Sequence, residues 1–164
     1  MTMILVMDND CAIGKSNRLL CSLPADMKNF REVTRNSAVI MGRKTYESFP
    51  KRPLPDRENI VLSRGAKALD GAKVFNNIGK LMEYVKSLDK KVFVIGGSEI
   101  YARLERYCGE ALITRVYENF GGDVFFKDIV CDRNWKLAES SPLIETSGRN
   151  IRFFRYVRSE AGRE

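Results

Sequence analysis

The sequence contains no histidine, the side chain that most often carries protons near neutral pH and that commonly binds zinc. Its four cysteines lie far apart and form no CxxC pair, which also argues against a zinc site. No apolar run approaches the roughly 20 residues that a membrane-spanning helix needs, and the N-terminus has no basic leader. We therefore expect a cytoplasmic protein with reduced cysteines, no bound metal and no membrane contact.

The 164 residues are 44% hydrophobic and 30% charged, which predicts one domain, residues 1–164, around one core. The net charge of +7 suits a nucleic acid, an acidic membrane or a small anionic ligand. The basic residues are nevertheless spread along the chain. Their densest group, 149–158, alternates with apolar residues, which is more typical of a strand with one solvated face than of a nucleic-acid patch. We therefore expect no nucleic-acid partner.

Short apolar runs alternate with helical patterns along the chain. Strands are predicted at 3–8, 37–42, 58–64, 72–75, 90–97, 110–120, 135–140 and 150–158, and helices at 24–35, 43–49, 78–88 and 98–107. The segments 9–23 and 51–57 read as loops. This order predicts a mainly parallel sheet covered on both faces, with an antiparallel edge formed by the late strands. Ligands of such sheets bind beyond the carboxyl ends of the strands.

Three of the predicted strands end in residues that suit an anionic ligand. Gly96 and Gly97 separate a strand from a helix, where paired glycines let an anion approach the backbone closely. They lack the GxGxxG spacing, so a tight turn is an equal alternative. The other two ends supply cations and hydroxyl groups, namely Gly42, Arg43, Lys44 and Thr45 at one and Ser63 and Arg64 at the other. Solvated charges are the simpler interpretation of each end, but three together favour a ligand with several phosphates.

Asp26 lies in the first turn of the helix that Pro24 begins. A carboxylate there ordinarily caps free amide groups. However, Asp26 also falls on the inner stripe of the helix, with Met27 and Phe30, and no basic residue lies one turn away on that stripe. An inward carboxylate is costly without a partner. A ligand with two adjacent N–H donors would be such a partner.

Several segments, in this order and spacing, resemble dihydrofolate reductase over essentially the whole chain: "AIGKSN", "LPAD", "VIMGRKTYES", "RPLPDR", "NIVLSR", "VIGGSEIY", "LITRV" and "GDVFF". The resemblance implies an α/β fold with a central, mostly parallel eight-stranded sheet, an antiparallel C-terminal edge and four helices. It also implies a monomer that uses NADPH to reduce 7,8-dihydrofolate to 5,6,7,8-tetrahydrofolate.

The resemblance implies a role for each residue of a pterin site. Asp26 would pair with the pterin 2-amino group and N3, and would promote protonation of N5 while hydride passes from nicotinamide C4 to pterin C6. Thr114 would hydrogen-bond to Asp26, and Arg57 would bind the α-carboxylate of the substrate. The other implied substrate residues are Ile4, Leu5, Met27, Phe30, Arg31, Phe49, Leu54, Ile95 and Tyr101.

The resemblance also implies a cofactor site. Gly96 and Gly97 would be joined by a cis peptide bond, and Tyr101 would lie near the nicotinamide. The loop 9–23, with Leu19 near its middle, would close over the site and exclude water. The phosphates would be held by Arg43, Lys44, Thr45, Ser63 and Arg64. The remaining implied cofactor residues are Val6, Ile13, Gly14, Asn17, Gly42, Leu62, Ile95, Ser98, Glu99 and Ile100.

One position departs from the family pattern inside the site. Leu20-Cys21 stands where the family usually has Pro-Trp, whose ring walls the pterin and whose N–H binds a water. We expect a larger, wetter pocket and weaker binding of flat diaminopyrimidine inhibitors. The alternative is that Cys21 is a small buried hydrophobe, with Leu19 or Leu20 taking the lost volume.

Three functions other than folate reduction would also suit parts of this sequence. The reductase of riboflavin synthesis is similar in fold and also uses NADPH, but Asp26 and Arg57 together favour folate. A basic nucleic-acid-binding module would leave the three strand ends unexplained. An inactive relative with a binding role is made plausible by Cys21.

Overall fold

Eight strands follow one another across the central β-sheet of the computed structural model, which describes residues 1–65 and 67–159. In order they are β10 (Ile144–Thr146), β11 (Arg149–Arg158), β7 (Glu110–Val116), β1 (Thr2–Met7), β6 (Val92–Gly96), β3 (Ala38–Gly42), β4 (Glu58–Leu62) and β5 (Lys73–Phe75). A further strand, β9 (Trp135–Ser140), pairs with the second half of β11, while β10 pairs with the first half.

The direction of the strands divides this sheet into two parts. Neighbouring strands from β7 to β5 are all parallel. By contrast, β11 runs antiparallel to β7, β9 and β10. The predicted mostly parallel sheet with an antiparallel C-terminal edge is therefore confirmed.

Four α-helices lie within the described residues, as predicted. They are α1 (Pro24–Thr34), α2 (Arg43–Ser48), α3 (Ile78–Lys86) and α4 (Ser98–Leu104). Pro24 begins α1, and the Asn77 side chain caps α3 by accepting a hydrogen bond from the Lys80 amide at 3.2 Å. The predicted helix 98–107 is α-helical only to Leu104, after which the chain tightens into a 3₁₀ turn. No helix in the described part of the chain is long and apolar enough to span a membrane.

The side chains of the parallel strands alternate between two apolar layers. Met3 and Leu5 face the layer that α3 and α4 cover, where Leu81 and Leu104 are fully buried. Ile4 faces the opposite layer with Tyr46 of α2, and Phe30 of α1 packs against it. The sheet is therefore covered on both faces, and α1 and α2 share a face.

The prediction that 9–23 is entirely loop was wrong. This segment contains a short strand, β2 (Ala12–Gly14), which pairs with β8 (Val124–Phe125). Strands of three and two residues are too short to show an alternating pattern, and this pairing joins segments that are far apart in the sequence. β10, which was also missed, is equally short.

Candidate active site

The carboxyl ends of β1, β3, β4, β6 and β7 meet at one edge of the sheet because these strands are parallel. Asp26, in the first turn of α1, reaches the neighbouring strand β7. There the hydroxyl group of Thr114 donates a hydrogen bond of 2.5 Å to Asp26 Oδ1. Thr114 is 4% exposed and lies beside Val6 in the sheet, so its position is fixed. The contact between Thr114 and Asp26 that the resemblance implied is present.

The electrostatic surroundings of Asp26 are unusual for a carboxylate. Burial raises the pKa of Asp26 above its ordinary value, and the hydrogen bond from Thr114 opposes this only in part. Within the described residues, Asp26 has no ion-pair partner and accepts no hydrogen bond from a helix amide. The capping interpretation therefore lacks the contacts that it needs, and Asp26 retains an oxygen for a ligand.

The predicted substrate residues Ile4 and Leu5 lie on opposite faces of β1, and Tyr101 lies in the same apolar layer as Leu5. Ile4 and Leu5 are 8% and 5% exposed, and Tyr101 is 4% exposed. The Tyr101 hydroxyl donates to the Ile4 carbonyl oxygen at 2.7 Å. Burial, with the nearby charge of Asp26, raises the pKa of Tyr101 far above its usual range, so this phenol stays neutral.

The other predicted substrate residues fall into two groups. One group packs against the same apolar layer as Ile4, and it consists of Phe30, Phe49, Leu54 and Ile95. The other is exposed and consists of Met27, 47% accessible to solvent, and Arg31. Leu19, which was predicted in the covering loop, is 75% exposed. Most of the predicted substrate residues therefore lie on the side of the sheet that α1 and α2 cover, with Met27 at the surface.

Arg57 is held rigidly beside α1. Its Nε donates to Thr34 Oγ1 at 2.7 Å, its Nη2 donates to the Arg31 carbonyl oxygen at 3.0 Å, and its Nη1 donates to the Pro55 carbonyl oxygen. The guanidinium group lies 5.9 Å from the centre of the Phe30 ring. Arg31 contributes its backbone to this arrangement, while its exposed side chain donates to the Met27 carbonyl oxygen at 3.3 Å.

The predicted strand ends converge around two glycines. The peptide bond between Gly96 and Gly97 is cis, as the resemblance implied. A Cβ atom on Gly96, whose φ is +110°, would lie 3.0 Å from the Tyr101 ring, so a larger residue there would strain the backbone and crowd the ring. A Cβ on Gly97 would lie 3.5 Å from Thr45 Oγ1, which brings the start of α2 next to the end of β6.

Gly42 extends this arrangement to the third strand end. A Cβ atom on Gly42 would lie 3.1 Å from Ile100 of α4, and Gly42 is paired with Leu62 in the sheet. Ser63 and Arg64 follow Leu62 directly. The structure therefore brings together the three strand ends that the sequence singled out.

Both predicted phosphate-binding arginines have carboxylate partners. Arg43 Nη1 donates to both carboxylate oxygens of Glu47, at 2.9 and 2.7 Å. Arg64 Nη2 lies 3.8 Å from Glu99 Oε1. These partners were not predicted, since each requires knowledge of side-chain positions at the helix starts.

Asp8 is a buried carboxylate that the sequence analysis missed. It is fully buried, and its Oδ1 accepts hydrogen bonds from the amides of Asp10 and Ala12, both at 2.9 Å. Its Oδ2 accepts from the Phe120 amide at 3.0 Å. The one available signal was an acidic residue directly after an apolar strand. Asp8 thus joins the start of the loop 9–23 to the loop 117–123.

Further contacts hold these two loops together. The Ser16 amide donates to Asp123 Oδ2 at 2.9 Å, and the Asp123 amide donates to the Gly14 carbonyl oxygen at 3.1 Å. A Cβ atom on Gly122 would lie 2.6 Å from the Ala12 Cβ, so the backbones touch at that point. The loop expected to cover the site is therefore anchored at its first half and exposed near Leu19.

The remaining predicted residues lie around this loop and the strand ends. Cys21 is half-buried and packs against Leu23, Val116 and Ile151, and Val6 packs against the same cluster. Burial raises the pKa of the Cys21 thiol, so it behaves as a small apolar group. Ile13 packs on the main core, Gly14 and Ser98 are half-buried, and Asn17 and Lys44 are exposed.

The raised pKa of Asp26 predicts that Asp26→Asn stabilises the fold at neutral pH. Because the folded state binds this proton more tightly than the unfolded state, the charged carboxylate costs stability above its folded pKa. The stability gained from Asn should be largest at neutral pH. It should vanish as the pH falls below 3.8, the ordinary pKa of an aspartate, which applies to the unfolded chain. Urea unfolding at several pH values measures it, with the exposed Asp56→Asn as control. A less stable Asn variant at pH 7 would contradict the charge cost.

The contacts of Asp8 predict that Asp8→Asn destabilises the protein by about 1–3 kcal/mol, because the amide NH₂ would face a buried backbone N–H. The matched control is Asp10→Asn, two residues away and exposed, which should change the free energy of unfolding by less than about 0.5 kcal/mol. Equal effects of the two variants in denaturant unfolding would show that the Asp8 contacts contribute little.

The sequence of the chain is similar to those of known proteins. The family model for dihydrofolate reductase matches residues 1–158. The chain is 36% identical to dihydrofolate reductase of Bacillus subtilis over 84% of this chain and 80% of that protein. It is 34% identical to dihydrofolate reductase of Neisseria meningitidis serogroup A over 96% and 97% of the two chains.

A solved structure gives the same result at the level of the fold. Dihydrofolate reductase from Enterococcus faecalis, complexed with NADP(H) and RAB-propyl, superposes with a TM-score of 0.87. The two chains are 29% identical, and the match covers 97% of this chain and 96% of the other. The chain therefore belongs to the dihydrofolate reductase family.

Proposed function

We propose that this protein reduces 7,8-dihydrofolate to 5,6,7,8-tetrahydrofolate with NADPH as the cofactor. The observation that carries the proposal is the half-buried carboxylate of Asp26, which is held by Thr114 and has no cationic partner within the described residues. The family membership supports it. The most direct test is the loss of NADPH absorbance when dihydrofolate is added to the purified protein.

Asp26 would recognise the pterin ring through two adjacent N–H groups. A carboxylate binds two parallel donors in the same way that it binds arginine, and such charged hydrogen bonds are stronger than neutral ones. Thr114 fixes one carboxylate oxygen and so orients the other. The pterin 2-amino group and N3 offer these two donors. Their binding would offset the cost of the unpaired charge in the cleft.

Asp26 would also promote the protonation of pterin N5. The residues at the strand ends would hold NADPH, which would supply the hydride for pterin C6. A negative charge close to the ring raises the proton affinity of the pterin, and the proton itself reaches N5 through water. This role for Asp26 accounts for the chemistry in a chain that has no histidine.

Arg57 would bind the α-carboxylate at the other end of the substrate. A guanidinium group has five N–H donors, and Arg57 uses one on each of its three nitrogens to contact the protein. One N–H therefore remains on each of Nη1 and Nη2. Two such donors match a carboxylate in bidentate fashion, and the existing contacts hold them in place.

The residues at the strand ends fit a dinucleotide phosphate. Gly96 and Gly97 carry no side chain that would keep an anion from the backbone. Arg43, Lys44, Thr45, Ser63 and Arg64 would hold the phosphates, and the loop 9–23 would cover the nicotinamide and exclude water. Cys21 leaves these groups unchanged, so we expect an active enzyme rather than an inactive relative.

The role proposed for Asp26 predicts that Asp26→Asn lowers the turnover of dihydrofolate by roughly 10²–10⁴ near neutral pH. Residual activity should rise as pH falls, because the solution then protonates N5 unaided. The measurement is the pH profile of NADPH oxidation, with Asp89→Asn as the control for an exposed aspartate. Turnover by the Asp26→Asn variant near that of the wild type at pH 7 would refute the role.

The strand-end arginines are expected to select NADPH over NADH through the adenosine 2′-phosphate. Arg43→Ala and Arg64→Ala should each weaken NADPH binding and leave NADH binding nearly unchanged, because planar guanidinium groups suit phosphate. Arg35→Ala is the control, since Arg35 is an exposed arginine with a carboxylate partner, Asp56, at 3.8 Å. Equal losses of affinity for NADPH and NADH would show that neither arginine binds the 2′-phosphate.

A further inference from the structure

Glu99 carries a negative charge close to two arginines, at the edge of the sheet where the cofactor is proposed to bind. It lies in the first turn of α4, two residues after Gly97. Its Oε1 is 3.8 Å from Arg64 Nη2 and 3.7 Å from Arg103 Nη1. The side chain of Arg64 is 81% exposed and that of Glu99 is 67% exposed, so both are accessible to a ligand from solution.

The two arginines proposed to bind phosphate differ in how their carboxylates hold them. Glu47 accepts two hydrogen bonds from Arg43 within one helix. Glu99, by contrast, faces Arg64 across two separate segments at a distance beyond that of a hydrogen bond. A ligand can therefore take Arg64 away from Glu99 without breaking a hydrogen bond, while Glu99 keeps Arg103 as its partner.

The charge of Glu99 nevertheless remains close to any anion that binds Arg64. A phosphate monoester carries about −1.5 to −2 charges at neutral pH, so a carboxylate beside its arginine repels it. We propose that Glu99 is a specificity-determining residue, which lowers the preference for NADPH over NADH by competing with the 2′-phosphate for Arg64. This inference rests on the proposed function, because it takes Arg64 as a cofactor-binding residue.

The expected change in affinity is small because the side chains of Glu99 and Arg64 are both exposed. Pairs between exposed charges contribute little because water and salt screen them, so removing Glu99 should change affinity by about two- to fivefold. The effect should also depend on salt, since the screening length falls from about 10 Å at 0.1 M to about 3 Å at 1 M. A purely structural role for Glu99 would give no such salt dependence.

The experiment compares Glu99→Gln with the wild type by calorimetric titration of 2′,5′-ADP and 5′-AMP, which differ by the 2′-phosphate. The variant should bind 2′,5′-ADP about two- to fivefold more tightly at low salt, with a much smaller change for 5′-AMP. The gain should shrink in 1 M salt. The matched control is Glu32→Gln, because Glu32 is an exposed glutamate 3.9 Å from a lysine on α1, and it should leave the ratio of the two affinities unchanged. An unchanged ratio in Glu99→Gln would overturn the inference.

Two further variants separate this inference from the proposed function. In the Arg64→Ala background, Glu99→Gln should give no gain; a gain that persists would assign the effect to Arg103 and overturn the inference. If Arg64→Ala weakens 2′,5′-ADP binding while Glu99→Gln changes nothing, the inference alone fails. If Arg64→Ala leaves 2′,5′-ADP binding unchanged, the assignment of Arg64 in the proposed function fails, and the inference fails with it.

Discussion

The hydrogen bond from Thr114 to Asp26 is the contact on which the rest of the site depends. It joins the first turn of α1 to the middle of the sheet across 88 residues of sequence. It also holds a carboxylate in a half-buried position where, within the described residues, no cation compensates its charge. Such an arrangement costs folding free energy, and a ligand with paired N–H donors would recover that cost on binding.

The fold brings the remaining groups to the same edge through its parallel strands. Gly96 and Gly97 end one strand, Gly42 ends the next, and Leu62 is paired with Gly42 in the sheet. The loop 9–23 is anchored beside this edge by the buried carboxylate of Asp8 and by contacts with the loop 117–123. The strands thus position the polar groups, while the part of the loop near Leu19 is exposed to solvent.

Local sequence patterns predicted most of the sheet and all four helices in the described residues. They did so because apolar runs and helical stripes mark the residues that are buried. The inward position of Asp26 followed from the phase of α1, but Met27, which was predicted on the same inner stripe, is exposed. Local patterns did not predict three features, because each depends on contacts between distant segments. They are the role of Asp8, the pairing of β2 with β8, and the Arg64–Glu99 pair. The contact between Thr114 and Asp26 came only from the resemblance of the chain to a known family.

The central claim is that Asp26 is a charge-bearing group held without a cationic partner until a ligand arrives. The most direct measurement is a titration of its side-chain carboxyl carbon by NMR, in the free protein and with a 2,4-diaminopyrimidine bound. The account predicts a pKa above the ordinary value of 3.8 in the free protein, and a lower pKa once adjacent N–H donors pair with the carboxylate. A free protein in which Asp26 titrates at or below the ordinary value, with no response to the ligand, would contradict it.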